Sequence, residues 1–268
     1  MIKFLLQTVK GKVRHDFVFE IEHAIDYQNW KGNEMEVEYC SLEDIQNGCS
    51  FIDSEEIVEY IPVGTVEFVY AFIDKFIKED GSKKIKPLNV PKELFEFTGR
   101  KIGNYNIKNN VDRENIFNKH SHKDYFYLKS NKHIKSDINS SYKASEIRNV
   151  DIIPNGEYQI SEYIDIVSEY RCFVYNDELK GIQYYSGDFE VFPSIDTIYK
   201  ILKKYQHCTG DAPQAWTLDI AVTGDGKTVV MECHEFFSCG LYGFNDYNSL
   251  PYMFARTFNN IKKRLKGS

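Results

Sequence analysis

Two alternating apolar runs, Trp216 to Val222 and Thr228 to Cys233, flank the dipeptide Asp225-Gly226. Asp-Gly between such runs is a strong hairpin signal, because a type I′ turn needs a positive φ at both central residues. A two-residue turn also fixes the register of its strands. With Gly224 opposite Lys227, Asp219 stands opposite Glu232 and Thr217 opposite His234. Directly opposed side chains have Cβ atoms about 4.5–5.5 Å apart, and like charges there destabilise a sheet. Two carboxylates so placed call for a cation between them. A hard divalent ion fits, and Mg²⁺ in particular is held by one or two carboxylates plus substrate phosphates. The residues also permit a second arrangement, in which both acids lie on the solvated face of a polar-out hairpin. His234 shares their face and is a candidate for the ion site or a phosphate contact, while Cys233 points toward the core.

The remaining pattern is α+β. Short apolar runs at Ile2 to Val9 and Phe17 to Ile21 read as strands, and Ile57 to Phe72 reads as strand, turn and short helix around Pro62-Val63-Gly64-Thr65, ending near Lys75. A charged, Gly- and Pro-containing stretch follows, which places a boundary near residue 100. Strands are expected at Tyr125 to Lys129, Glu157 to Ile166, Tyr170 to Tyr175 and Leu179 to Tyr185. Amphipathic helices are expected after Pro193 and over the stripe Leu250, Phe254, Phe258, Ile261 and Leu265.

Composition narrows the function classes. The chain has 268 residues, 42% of them hydrophobic, enough for a sizeable core and against disorder. No apolar run is long enough for a membrane span, and Met1 to Val9 lacks the pattern of a signal peptide. Six cysteines without CxxC or zinc spacing fit a reducing cytoplasm. A net charge of −7 argues against a nucleic acid as partner.

Upstream, Glu169-Tyr170-Arg171 opens a strand. A guanidinium there suits phosphate or carboxylate recognition, or an ion pair with an acid such as Glu169. Lys129, at a strand end, and Lys135 are candidate phosphate contacts, although among 26 lysines a solvated side chain is the ordinary role.

Taken in order, Ser161-Glu162-Tyr163-Ile164, Glu169 to Val174, Leu218-Asp219-Ile220-Ala221, Val229 to His234 and Gly240-Leu241-Tyr242-Gly243 resemble the C-terminal half of an ATP-grasp enzyme. The lysine pair, Arg171 and Val63 to Phe68 further resemble the phage-associated branch named for one arginine and two lysines. The likeness covers about residues 57–70 and 123–246. His234 stands where most members have Asn, Ser130 follows Lys129 where the branch usually has Pro, and Ser136-Asp137-Ile138 replaces a Phe-x-Gly pattern.

The resemblance implies an ATP-grasp fold in which two antiparallel-sheet lobes clamp a nucleotide behind a small α/β N-terminal lobe. Residues 1–100 would form that lobe and 101–268 the ATP-grasp domain, with a central lobe at about 101–165 and a C-terminal lobe at about 166–268. It implies ATP bound by Lys129, Glu162, Tyr163, Ile164 and Arg171, with adenine read by backbone at 162–164. Asp219, Glu232 and His234 would hold Mg²⁺, with Arg171 and Lys135 catalytic. The implied activity is an ADP-forming carboxylate–amine ligase with a small-molecule, peptide or protein acceptor. Alternatives are a phosphotransferase and a non-catalytic nucleotide-binding interaction protein. On the ligase reading, Asp219→Asn or Glu232→Gln ends ATP turnover and leaves the fold intact.

Overall fold

The computed structural model describes all residues except Phe51, Ser54, 121–123, Lys135, 209–212 and Ser268, with His207 and Cys208 described in backbone alone. Its first lobe is a parallel sheet of order β2-β1-β3, from β1 (Ile2–Gln7), β2 (Met35–Cys40) and β3 (Ile61–Val63). Parallel neighbours need a crossover, and helix α1 (Asp16–Trp30) supplies it between β1 and β2. The expected strand at Phe17 to Ile21 is therefore the start of α1. Its buried residues Phe17, Val18, Ile21, Ala24, Ile25 and Gln28 follow a helical period that a five-residue window does not show. After α2 (Leu42–Gln46), β3 leads into α3 (Val66–Phe72), which continues as a wider helical turn over Ile73–Ile77. Thr65 caps α3 by accepting from the Phe68 N–H, and its own N–H donates to Gln7 Oε1 at 2.7 Å. Gly64 is tightly enclosed: a Cβ there would lie 2.5 Å from Phe68 Cδ1 and 2.7 Å from Gln7 Oε1.

An antiparallel sheet of order β4-β7-β5-β6 follows, built from β4 (Ile102–Ile107), β5 (Tyr125–Ser130), β6 (Ser140–Lys143) and β7 (Gly156–Glu162). Helix α4 (Asn110–His120) backs it, and Ile107, Ile116, Phe126, Leu128 and Ile160 form the core between them. The expected single strand from Glu157 to Ile166 divides: β7 ends at Glu162 and β8 (Ile166–Tyr175) begins in the next sheet. That sheet has the order β11-β10-β8-β9, with β9 (Glu178–Gly187), β10 (Ala215–Thr223) and β11 (Thr228–Glu235). One face packs on α5 (Ile195–Cys208) through Cys172, Ile198, Ile201, Leu202 and Trp216. The last helix, α6 (Leu250–Lys266), joins the first lobe in one core, Phe254 and Phe258 packing with Phe68, Phe72, Phe173 and Phe236. Among the described residues, no helix is long and apolar enough to cross a membrane.

The β10–β11 hairpin differs from the expected turn. The Gly226 N–H donates to Thr223 O at 2.8 Å and the Thr223 N–H to Lys227 O at 3.0 Å. Gly226, at φ 78°, is the one residue between Thr223 and Thr228 in the left-handed region. The connection is thus a three-residue loop closed by a left-handed glycine rather than a type I′ turn on Asp225-Gly226. This shifts the register near the turn by one, giving Val222 opposite Thr228 and Ile220 opposite Val230. A bulge leaves Met231 as an extra residue and shifts it back, so Asp219 does face Glu232 and Thr217 does face His234. The two-residue turn with both φ values positive, 48° and 66°, occurs instead at Asn176-Asp177 between β8 and β9.

Candidate functional site

The inner faces of the two antiparallel sheets enclose a cavity of about 260 Å³. Period-two alternation decides which side chains enter it. On β5, Phe126 and Leu128 turn to the α4 core while Tyr127 and Lys129 face the cavity. Gln159 and Ser161 do the same on β7, and Glu169 and Tyr185 enter from β8 and β9. The connection Glu162, Tyr163 and Ile164 forms one wall where the chain crosses between sheets. Glu162 is buried, its Oε2 accepting from the Lys101 N–H at 3.1 Å, whereas Tyr163 is exposed.

Glu232 lines this cavity, and with Asp219 opposite it belongs to a network of charges. Arg171, directly across β8 from Asp219, donates from Nε and from Nη2 to the two Asp219 oxygens, each at 2.7 Å, and from Nη1 to Gly240 O at 3.1 Å. Both partners are buried, Asp219 to 2% exposure and Arg171 to 8%. Burial works against the Arg171 charge, but the paired Asp219 carboxylate outweighs it and holds the guanidinium pKa raised. Tyr185 and Tyr242 stack on each other at 5.1 Å and lie beside the guanidinium. Lys129 is ion-paired with Glu232. Burial lowers the Lys129 pKa to about 8, against the opposing pull of Asp219. His234 Nε2 lies 2.9 Å from Glu232 Oε1 and 3.8 Å from Asp219 Oδ2. Burial also lowers the His234 pKa to about 4, so its imidazole is neutral near pH 7.

Donor atoms of Asp219, Glu232 and His234 all lie within 4.8 Å of one another. In an octahedral shell with bonds of about 2.1 Å, adjacent donors stand about 3 Å apart and opposite ones about 4.2 Å, and the His234 Nε2 separations of 2.9 Å and 3.8 Å from the two acids lie within that range. Of the expected site residues, the structure brings Lys129, Arg171, Asp219, Glu232 and His234 together and sets Glu162, Tyr163 and Ile164 along the adjoining wall. Lys135 lies outside the described residues. Sequence reasoning overlooked Arg100, which lines the cavity and holds the β11 bulge by donating to Val230 O at 3.0 Å and Met231 O at 3.4 Å. Its one signal was its place after a glycine, Gly99, that adopts φ 64°. Asp16 was also overlooked: from the start of α1 it accepts from the N–H groups of Leu241 at 2.8 Å and Tyr242 at 3.3 Å, fixing the loop that carries Gly240.

Residues 97–250 match the family model described as ATP-grasp domain, R-two-K clade, family 2. Among solved structures, the chain is similar to D-cycloserine synthetase DcsG, with 13% identity, 98% of this chain and 99% of that one covered, and a TM-score of 0.58. It is similar to D-alanyl-alanine synthetase A from Vibrio cholerae, with 10% identity, 96% and 98% coverage and a TM-score of 0.57. It is also similar to the ATP-grasp ligase PsnB complexed with minimal precursor, with 10% identity, 95% and 99% coverage and a TM-score of 0.54. At these identities the likeness establishes the ATP-grasp fold. No curated protein gives a significant match.

Proposed function

Because the chain belongs to family 2 of the R-two-K clade of ATP-grasp domains, we propose that it is an ATP-dependent ligase joining a carboxylate to an amine. The observation that carries this reading is the meeting of Lys129 with Asp219, Glu232 and His234 beside a cavity between two antiparallel sheets. In the proposed reaction a carboxylate oxygen attacks the γ-phosphorus of ATP and the bond to the bridging oxygen breaks, releasing ADP. The amine nitrogen then attacks the acylphosphate carbonyl, phosphate leaves with the electrons of the broken C–O bond, and the nitrogen gives up a proton to form the amide.

The protein's part is to position reactants and offset charge. Lys129 neutralises phosphate oxygens, and the backbone of Glu162 to Ile164 reads the adenine edge. Arg171, held by Asp219 and Gly240, supplies a fixed positive charge beside the phosphoryl group in flight. Lys135 is assigned a second phosphate contact on the family resemblance. Asp219, Glu232 and His234 hold Mg²⁺, which when bound offsets the negative charge of the phosphates. Residues 101–268 form the nucleotide clamp in this reading, and residues 1–100 contribute contacts to the acceptor. The structural neighbours include a D-alanine–D-alanine ligase and a ligase complexed with a minimal precursor, which supports an amino acid or peptide among the substrates. The five described cysteines are buried free thiols, in keeping with a cytoplasmic protein.

Thermal unfolding with and without ATP and Mg²⁺ tests the site. At about a hundred times the dissociation constant, linkage gives about 2.7 kcal/mol, or roughly 5–10 °C. Glu232→Gln removes the metal-dependent part. No metal-dependent shift at millimolar nucleotide overturns the reading. Where turnover is found, a product mass equal to both substrates less water marks ligation, whereas a retained phosphoryl group marks phosphotransfer.

A further inference from the structure

We propose that His234 binds the nucleotide's divalent cation directly through its imidazole, so that the site prefers a first-row transition dication over Mg²⁺, a preference for which Mn²⁺ is the probe. This deepens the ligase reading and rests on its metal site. The bulge at Met231 puts Glu232 and His234 on one side of β11 opposite Asp219 and Thr217. The imidazole Nε2 stands 2.9 Å from a Glu232 oxygen and 3.8 Å from an Asp219 oxygen, within the spacings of about 3 to 4.2 Å between donors on one octahedral ion. Thr217, directly across from His234 and two residues before Asp219, is fully buried, and its Oγ1 has no hydrogen-bond partner among the described residues. That leaves a hydroxyl beside the three donors to bond a ligand of the ion. Mg²⁺ takes oxygen donors and sheds water reluctantly, whereas imidazole suits transition dications. Mn²⁺ also accepts carboxylate and phosphate oxygen, so it satisfies the whole set.

The test compares binding of a non-hydrolysable ATP analogue with Mn²⁺ and with Mg²⁺ in wild type and in His234→Asn, which exchanges the nitrogen donor for an oxygen. The ratio of Mn²⁺- to Mg²⁺-supported affinity is expected to fall about tenfold in the variant. An unchanged ratio overturns the proposal. Electron spin-echo spectroscopy of the wild-type Mn²⁺–nucleotide complex needs no substitution: it should show a directly bound ¹⁴N that becomes ¹⁵N when histidine is ¹⁵N-labelled. Absence of that coupling in a complex that still binds nucleotide overturns the direct ligation and leaves the ligase reading standing. Absence of metal-dependent nucleotide binding overturns both.

Discussion

Asp219→Asn tests whether the acid opposite Glu232 is free for a ligand alone or is also part of the core. Both of its oxygens accept from Arg171, and the pair is buried. Removing one partner of a buried ion pair costs about 3–5 kcal/mol, because a desolvated charge is left behind. Asn keeps one acceptor for the guanidinium, and Gly240 O remains 3.1 Å from Nη1, so the low end, about 3 kcal/mol, applies. For a chain of this size that is a fall in Tm of about 6–12 °C without any ligand. This substitution is therefore expected to lower stability as well as to end turnover, with the fold kept. Arg171→Met should cost less, since the Lys129 charge still acts on Asp219. In the double variant, Arg171→Met with Asp219→Asn, neither charge remains, and the loss should fall short of the two single losses together by about 2 kcal/mol. Denaturant and thermal unfolding of the four proteins, ligand-free, measure this cycle. A Tm for Asp219→Asn within 2 °C of wild type, or additive losses in the double variant, would refute the pairing argument.

Gly226→Ala should cost about 1 kcal/mol, because an L side chain is strained at φ 78°, while Gly224→Ala, with open space around its Cβ, should stay within about 0.5 kcal/mol; equal effects in a melting assay would reject the three-residue loop. Gly64→Ala should lose about 1–3 kcal/mol through overpacking against Phe68 and Gln7, and a Tm at the wild-type value would show that this junction yields freely. The Ser41 N–H and hydroxyl both hold the Asp44 carboxyl below its ordinary pKa. The lowered folded value means that this capping box contributes fully above the ordinary carboxylate range and is lost as pH falls through the lowered pKa. Ser41→Ala should therefore move the Asp44 carboxyl titration upward by NMR; an unmoved titration would count against the box.

Much of the site was legible because its parts lie on strands with strong local patterns. Asp219 and Glu232 are joined by one hairpin, and Lys129 ends a strand whose alternation is plain. The register reached the right pairing through two offsets that cancel, the longer loop and the bulge at Met231. Alternation alone does not reveal a bulge, since an extra residue leaves no mark in composition. The Arg171–Asp219 pair was not legible, Glu169 being the acid named from sequence, because the partner of an arginine depends on which strands are neighbours, and β8 and β10 are separated in sequence by β9 and α5. Asp16 was out of reach for the same reason: its partners are 225 and 226 residues away. The strands β4 and β6 carry Gly, Asn and Ser rather than β-branched runs, and tertiary pairing with β7 and β5 holds them extended.

The joining of α6 to the first lobe bears on how the chain is made. During synthesis β1, β2 and β3 emerge first, but the core they share is completed by Phe254, Phe258 and Ile261, which leave the ribosome only after both antiparallel sheets. The early lobe must therefore wait with apolar surface uncovered while more than a hundred residues of antiparallel sheet are made and paired. Closing that core brings together segments far apart in sequence, and a contact of such high separation is a slow step for folding. The antiparallel sheet backed by α4 has a core of its own, drawn from residues 107 to 160, and can be sealed before α6 exists. A ribosome-stalled chain ending before Leu250 should accordingly protect the amides of β5 and β7 from exchange while leaving those of β1 open.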